Sequence, residues 1–488
     1  MIARPRLTAM TAVLLCGALS GCLVGPNYHR PTTPITPAFK EAAGWVPAQP
    51  SSAAEHQDWW TAFGDPTLDA LEARVIVANQ TVAAAEAAYR QAAAVVRVDR
   101  AALFPTVSAT GSVTYSGSGS GGGGVLVNGS GGGVTTSGSG GGGASYRLGL
   151  GGSWAPDLFG AVRRTIEGAR ANAGVSAANL ANARLLAETE VALDYVQLCQ
   201  QDEELRILDA TTAAYARTLA IAQNKYNAGV VAKNDLLNAR AQLSTTQAQA
   251  TDLIQTRAKL EHAIAILTGQ PPAALTLDPG PWRLALLDIP PGVPSTLLQR
   301  RPDITAAEHS VTAANAQIGV QVAAYFPSLT LTGSGDFASN ELGKLFNASS
   351  FFYSVGASAA ETVLDFGARR GRVAAARAVY DQSVANYRQT VLTAFGQVED
   401  DLAAQRVFAR EQSLRQSSLA DAAASEVIAR NQYNAGQVDF TSVVVAQTSA
   451  LNARNAELQV EASRLATEID LIAALGGGWR ASDLPNHP

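Results

Sequence analysis

Charge is scarce in this chain of 488 residues. Asp, Glu, Lys and Arg make up 16%, and 36 Lys and Arg against 41 Asp and Glu leave a net charge of −5. No basic face for nucleic acid follows from such a balance. Histidine is rarer still: the five (His29, His56, His262, His309, His487) are scattered, and no His, Cys, Asp and Glu group has metal-ligand spacing. No serine stands in a nucleophile-elbow context, so an enzyme is the least supported class. Aromatics are only 6%, fewer than a thick globular core would use. Proline is absent from 157–268 and again from 328–484, which leaves room for very long helices.

What is present begins with an address. Arg4 and Arg6 precede an apolar run from Leu7 to Leu19, the form of a secretory signal and too short for a comfortable membrane helix. The run ends Leu19-Ser20-Gly21-Cys22, which resembles a bacterial lipobox. That resemblance implies cleavage before Cys22 and covalent lipid, a diacylglycerol and an N-acyl chain, on that residue. Leu23 follows where an Asp would resemble an inner-membrane retention signal, so the outer membrane is favoured. With Cys16 removed and Cys22 acylated, Cys199 stands alone, no intrachain disulfide can form, and Cys199 reads as a small buried apolar residue.

The chain also repeats itself. Asn224-Lys-Tyr-Asn-Ala-Gly229 recurs 207 residues later as Asn431-Gln-Tyr-Asn-Ala-Gly436, and Phe159 and Phe366, each followed by Gly, share that offset. Phe104-Pro105 recurs at Phe326-Pro327, 222 residues on. Each half reads helix, Phe-Pro, strand, loop, strand, long helix, Tyr-Asn-Ala-Gly turn, long helix. The expected division is a signal at 1–21, a lipidated extended segment at 22–64 and a first repeat at 65–270, with one helix from Asp65-Pro66 to near Phe104. A linker at 271–298, a second repeat at 299–478 and a tail at 479–488 complete it. Helices approaching 70 residues would extend about 105 Å and pack antiparallel through small apolar residues. The acidic run Glu399-Asp400-Asp401 reads as a solvated helix face.

Four short segments keep a period of two instead. Val107, Ala109, Gly111, Val113 and Tyr115 alternate with Thr and Ser; Tyr146, Leu148, Leu150 and Trp154 oppose Arg147 and Ser153. Leu329, Leu331 and Phe337 oppose Ser328, Thr330, Thr332 and Asp336; Phe351, Tyr353, Val355, Ala357 and Ala359 oppose Ser354, Gly356 and Ser358. The predicted strands, 106–116, 145–155, 328–337 and 351–361, have the length that crosses a bilayer when tilted. Four strands leave two edges unpaired in lipid, so a barrel must be shared between chains, and three copies give twelve strands. The tract 117–143 holds 15 of the 43 glycines and reads as a flexible loop outside the cell; no P-loop Lys accompanies it.

Across nearly the whole mature chain the motifs, in this order and spacing, resemble the TolC-like outer-membrane factor family, in its lipoprotein branch. They are Val24-Gly25-Pro26-Asn27-Tyr28 with Arg30-Pro31, Asp58-Trp59-Trp60 with Phe63 and Asp65-Pro66, and Arg300-Arg301-Pro302-Asp303-Ile304 with Ala307-Glu308. Ala314-Asn315-Ala316-Gln317-Ile318-Gly319, Phe326-Pro327-Ser328-Leu329 and both Tyr-Asn-Ala-Gly turns complete the set. The resemblance implies an α+β membrane protein. A homotrimer would share a 12-stranded outer-membrane β-barrel, four strands per chain, continuous with a 12-helix periplasmic α-barrel. It further implies a passive exit duct for small molecules such as drugs, working with a periplasmic adaptor (membrane fusion) protein and an inner-membrane RND-type pump.

By the same likeness the duct closes at its periplasmic tip. Gly229 and Gly436 supply left-handed helix ends, and Gly229, Val230, Gly436 and Gln437 contact the adaptor. Asp235 and Tyr433 match gate residues, expected to hydrogen-bond between neighbouring helix pairs. Two matches fail: an arginine of some members is Val438 here, and an aspartate one helical turn on is Val445, an apolar constriction in place of an acidic one. Type I protein secretion, which uses the same duct, is one alternative. A coiled-coil surface lipoprotein without a pore is another, and it requires no paired amphipathic strands.

Overall fold

The computed structural model describes residues 23–33, 38–42, 58–116, 143–280, 282, 284–286 and 300–480. Cys22 with the signal before it, the glycine tract up to residue 142, the stretch 287–299 and the tail from 481 lie outside the described residues.

The 207-residue offset carries through to the ends of the long helices. Helices α3 (Ala161–Asn227) and α6 (Ala368–Asn434) have 67 residues each; α4 (Lys233–Leu267) and α7 (Phe440–Ala474) have 35 each. Helices α2 (Gln80–Ala101) and α5 (Pro302–Ala323), of 22 residues each, keep the 222 offset of the Phe-Pro pairs that follow them. The single helix expected from Asp65 to Phe104 is instead two, because Asn79 separates α1 (Pro66–Ala78) from α2. The extended backbone of Asn79 ends α1, and its side-chain oxygen accepts from Thr81 and Val82 N–H to start α2. Its amide also donates to the Leu267 carbonyl at 2.8 Å, tying the break to the end of α4.

One compact unit gathers the described residues within Met1–His29, Ala94–Arg170 and Thr312–Asp381. Its centre is an antiparallel sheet in the order β1 (Thr106–Ser116), β2 (Gly143–Trp154), β3 (Ser328–Ser339), β4 (Phe351–Ala360). The first range is as expected; β2 begins two residues earlier and ends one earlier, β3 runs two longer, and β4 stops one short. Register places Val113 opposite Tyr146, Leu148 opposite Phe337 and Phe337 opposite Phe351, so one apolar face crosses all four strands. Val107, Val113, Tyr115, Leu150, Tyr353 and Val355 on that face are exposed. At Gly149 a Cβ would meet the Asp336 carboxylate at 1.8 Å, so that side chain would have to turn away. Among the described residues, both β1 and β4 have one partner and one open edge.

Arg164 fastens the segment just after Cys22 to this unit. It is 1% exposed and donates to the carbonyls of Val24 and Gly25, to the Asn27 side chain and to Glu167. Gly25 lies against Gly319 with φ +87, where a Cβ would come within 2.5 Å of the Gly319 Cα. Asn315 adds a hydrogen bond to the Pro26 carbonyl. The buried guanidinium and the two glycines thus give Val24-Gly25-Pro26-Asn27 and the Ala314–Gly319 motif a common physical reason.

The other unit gathers the described residues within Arg30–Ala93, Ala171–Val311 and Gln382–Pro488. Its core holds Trp59, Trp60, Phe63, Leu68, Leu71 and Val75 against Val191, Leu198, Ile264, Leu402, Leu465 and Ile472. The N-terminal segment read as extended therefore contains a buried turn, Trp59–Phe63, whose apolar side chains contribute roughly 1.5–3 kcal/mol each by leaving water. Asp65 caps α1 and accepts from the Tyr195 hydroxyl. Arg301 forks onto Asp303 and donates to the Ala474 carbonyl, closing the end of α7. Glu399 is no solvated acid: its carboxylate accepts the Lys40 and Glu41 N–H groups at 2.7 and 2.9 Å. Beside it, burial and then the charges of Asp470 and Asp400 push Asp401 up to about 7. Cys199 is half-buried, with its thiol pushed up to about 12 by burial, so it stays an unreactive thiol.

Glu72 on α1 is fully buried, and neither carboxyl oxygen has a hydrogen-bond partner. Burial, then the charge of Glu188 on α3, pushes it up to about 10. Glu188 itself is pushed up to about 7, by burial first, with Arg184 opposing and Asp58 adding. The Trp59 indole favours its charged form, although its N–H closes no hydrogen bond. A carboxyl whose folded pKa lies above its ordinary value holds its proton more tightly when folded, so stability falls as pH climbs from 4.5 toward about 10. The loss reaches about 3 kcal/mol by pH 7. Glu72→Gln removes that dependence: in thermal unfolding its advantage over the parent is expected to be larger at about pH 8.5 than at about pH 5.5. An equal difference at both values would show that Glu72 does not retain its proton.

Candidate functional site

Two helix ends of one design lie at the recurring turns. After α3, Gly229 N–H donates to the Tyr226 carbonyl and Val230 N–H to that of Lys225, with Gly229 at φ +70. After α6, Gly436 N–H donates to Tyr433 and Gln437 N–H to Gln432, with Gly436 at φ +73. This pair of bonds is the Schellman motif, and it needs a residue that adopts the left-handed region without strain. The left-handed helix ends expected at Gly229 and Gly436 are therefore present, and Gly229, Val230, Gly436 and Gln437 are all exposed.

The two turns meet within one chain. Tyr433, only 3% exposed, packs edge-on against Phe440 with centroids 5.4 Å apart, in a small core with Ala222, Ala239 and Val443. Lys225 of the first turn reaches across: its ammonium sits 4.0 Å from the Tyr433 ring centroid and donates to the Tyr433 carbonyl at 2.8 Å. Cation–π attraction and a charge-assisted hydrogen bond thus act on the same residue. Asp235 is half-buried in the first turn of α4, where its charge favours the helix N-terminus; Ala232, at the cap position, offers no side-chain bond. Burial first, then the nearby Asp235 charge, holds the Tyr433 phenol above its usual value. The sequence-derived pair is brought together across the two helix pairs. The hydrogen bond expected between them is not closed: the Tyr433 hydroxyl is buried without a partner.

Val445 is set apart from this knot. It is 65% exposed and lines a shallow groove with Ser425, Ala429, Asp439, Thr441, Ser442 and Ser449. Asp439 caps α7, accepting from the Ser442 hydroxyl and N–H, bonds that hold its carboxyl below the usual range. Sequence reasoning missed Lys225, Phe440 and Asp439. All three carried a signal, since each breaks the repeat: Gln432, Lys233 and Ala232 occupy the equivalent positions. Cys22, the lipid site, lies outside the described residues.

A family model described as outer membrane efflux protein matches residues 73–270 and 293–477. The cation efflux system protein CusC of Escherichia coli is 29% identical over 466 residues, covering 95% of this chain and 97% of that one. The toluene efflux pump outer membrane protein TtgC of Pseudomonas putida is 29% identical over 486 residues, covering 96% and 95%. Among solved structures, the outer-membrane channel OprN has a TM-score of 0.83 at 29% identity, over 94% of this chain and 100% of that one. The CmeC outer membrane channel of Campylobacter jejuni has 0.86 at 26%, over 95% and 96%. The strands, paired helix turns and repeat described above run through these matched regions. The chain belongs to the outer membrane efflux protein family, as the outer-membrane channel component of a tripartite efflux pump with a periplasmic helical extension.

Proposed function

We propose that this chain acts as a homotrimer, a passive exit duct for small molecules with no chemistry of its own. One observation carries the reading: a four-stranded sheet with one exposed apolar face and two open edges, in a chain of this family. Such edges are costly in lipid and call for closure by further copies, and three give twelve strands. A periplasmic adaptor would meet the turns at Gly229, Val230, Gly436 and Gln437, and an RND-type inner-membrane pump would supply the energy. Lipid on Cys22 would anchor the N-terminus at the outer membrane. Relatives named for cations, toluene and antibiotics support a duct whose cargo is chosen by its partners.

The gate would lie at the helix turns. Tyr433, held beneath Lys225, ties the two helix pairs together and biases the tip closed with Asp235 beside it, three Asp235 carboxylates favour cations, and Val445 narrows the path as an apolar ring that gates by dewetting. Lys225 is the strongest link between the turns, and breaking it costs about 1.5 kcal/mol, roughly tenfold in local opening.

Detergent-extracted protein is expected to have the mass of three chains and to give small, mostly closed channels in planar bilayers. A monomer, or a trimer silent at every voltage, would leave the coiled-coil lipoprotein as the better reading. Asp235→Ala is expected to raise single-channel conductance and antibiotic entry; no change in either would remove Asp235 from the gate. Lys225→Met is expected to speed hydrogen exchange of the amides at 432–437 about tenfold, and exchange quickened only around residue 225 would show the turns to be uncoupled.

A further inference from the structure

The polar face of the sheet breaks its own pattern at one end. Along nearly the whole of β1 to β4 that face carries Thr, Ser, Gly and Ala; the exceptions among the described residues are Arg147, Asp336 and Phe352. All three gather at the end away from the helices. Arg147 lies four residues into β2, Asp336 three before the end of β3, and Phe352 is second in β4. Thr110, Gly149, Asp336 and Phe352 form one row across the four strands.

The two charges are displayed differently. Asp336 turns its carboxylate into the space that a Cβ on Gly149 would take, and Gly149 is the one buried residue of β2. The acid is thus recessed against the neighbouring strand. Arg147 is exposed, and its guanidinium crosses β3, roughly 10 Å from strand to strand, to lie 5.5 Å from the Phe352 ring centroid. The ring holds the cation without neutralising it. No carboxylate pairs with Arg147 among the described residues. The adjoining loops offer none: 117–142 contains no charged residue, and Glu341 after β3 is taken by Lys344 at 2.8 Å.

We propose that Arg147 is a specificity-determining residue of the duct: held over Phe352 at the outer mouth, it binds small anions that bear phosphate or carboxylate oxygens. The proposal rests on the shared duct above, in which the polar face lines the path and three copies place three guanidinium groups around it. The guanidinium fork suits such oxygens, and a ring of arginines favours anions. The outer mouth then selects by the opposite sign from the Asp235 carboxylates at the helix turns.

Inorganic triphosphate tests it on the purified full-length protein in planar bilayers. Protein added to one chamber inserts with its strand loops toward the other, because the long, polar helices do not cross lipid. Triphosphate on the loop side is expected to reduce single-channel current in the parent. Arg147→Gln is expected to weaken that block roughly tenfold and Phe352→Leu about threefold, while Arg147→Lys keeps most of it. Hexaamminecobalt(III) on the same side separates charge from pore width, since its block should strengthen in Arg147→Gln. Equal triphosphate block in the parent and Arg147→Gln would overturn the proposal. So would a block by both ions that weakens together, which reports a wider pore. Unchanged block in Phe352→Leu would remove the ring from the site. Native mass is measured on the same samples: a monomeric parent, or a parent trimer without conductance, overturns the duct beneath the proposal and not the role of Arg147 alone.

Discussion

Backbone hydrogen bonding at the sheet edges is the constraint on which the rest of this molecule depends. In water an unpaired strand edge is solvated; in hydrocarbon each unpaired N–H and C=O costs several kcal/mol. Strands β2 and β3 are paired on both sides, β1 and β4 on one only. The apolar face that suits the sheet to lipid makes those edges intolerable there. A chain with this sheet must close it, and a repeat whose halves pair in one register already contains the geometry of closure. The exposed Val107, Val113, Tyr353 and Val355 are therefore consistent with the fold, not defects in it.

Charge is scarce, and the charges set wholly or partly into the protein have definite tasks. Arg164 spends its donors on Val24 and Gly25 carbonyls and Asn27; Arg301 spends one on the Ala474 carbonyl; Glu399 accepts two backbone N–H groups. In each case a charged side chain satisfies backbone that no helix or strand pairs. These contacts fix irregular segments that apolar burial alone would leave without direction. Glu72 is the opposite case: buried with no partner, it remains by keeping its proton, and its burial beside Glu188 makes this unit sensitive to pH.

The features legible in the sequence were the periodic ones. Alternation in four runs gave the strands to within two residues, and the glycines at 229 and 436 marked helix ends whose hydrogen bonds match their motif. Asn79 was invisible because one polar residue inside a helical pattern is ordinary, and only its partner at Leu267, distant in sequence, makes it a break. Trp59 and Glu399 were misjudged for a related reason: a short turn and an acidic run are read by local composition, while their burial is decided by elements far along the chain. At the candidate gate, Asp235 and Tyr433 were found by likeness, but the link between them, Lys225 lying over the Tyr433 ring, depends on two turns meeting in space.

The repeat is closest to perfect in its backbone and least so in the side chains at the tips. Tyr433 is buried against Phe440 and beneath Lys225, whereas its repeat mate Tyr226 is 37% exposed, Phe440's mate is the exposed Lys233, and Lys225's mate is Gln432. The cap of α7 is Asp439, and that of α4 is Ala232, which makes no side-chain bond. One set of aromatic and cationic residues thus serves both turns of a chain and holds them to each other. In the proposed trimer this makes the two helix pairs of one chain a single moving part. Motion would then fall at the boundary between copies.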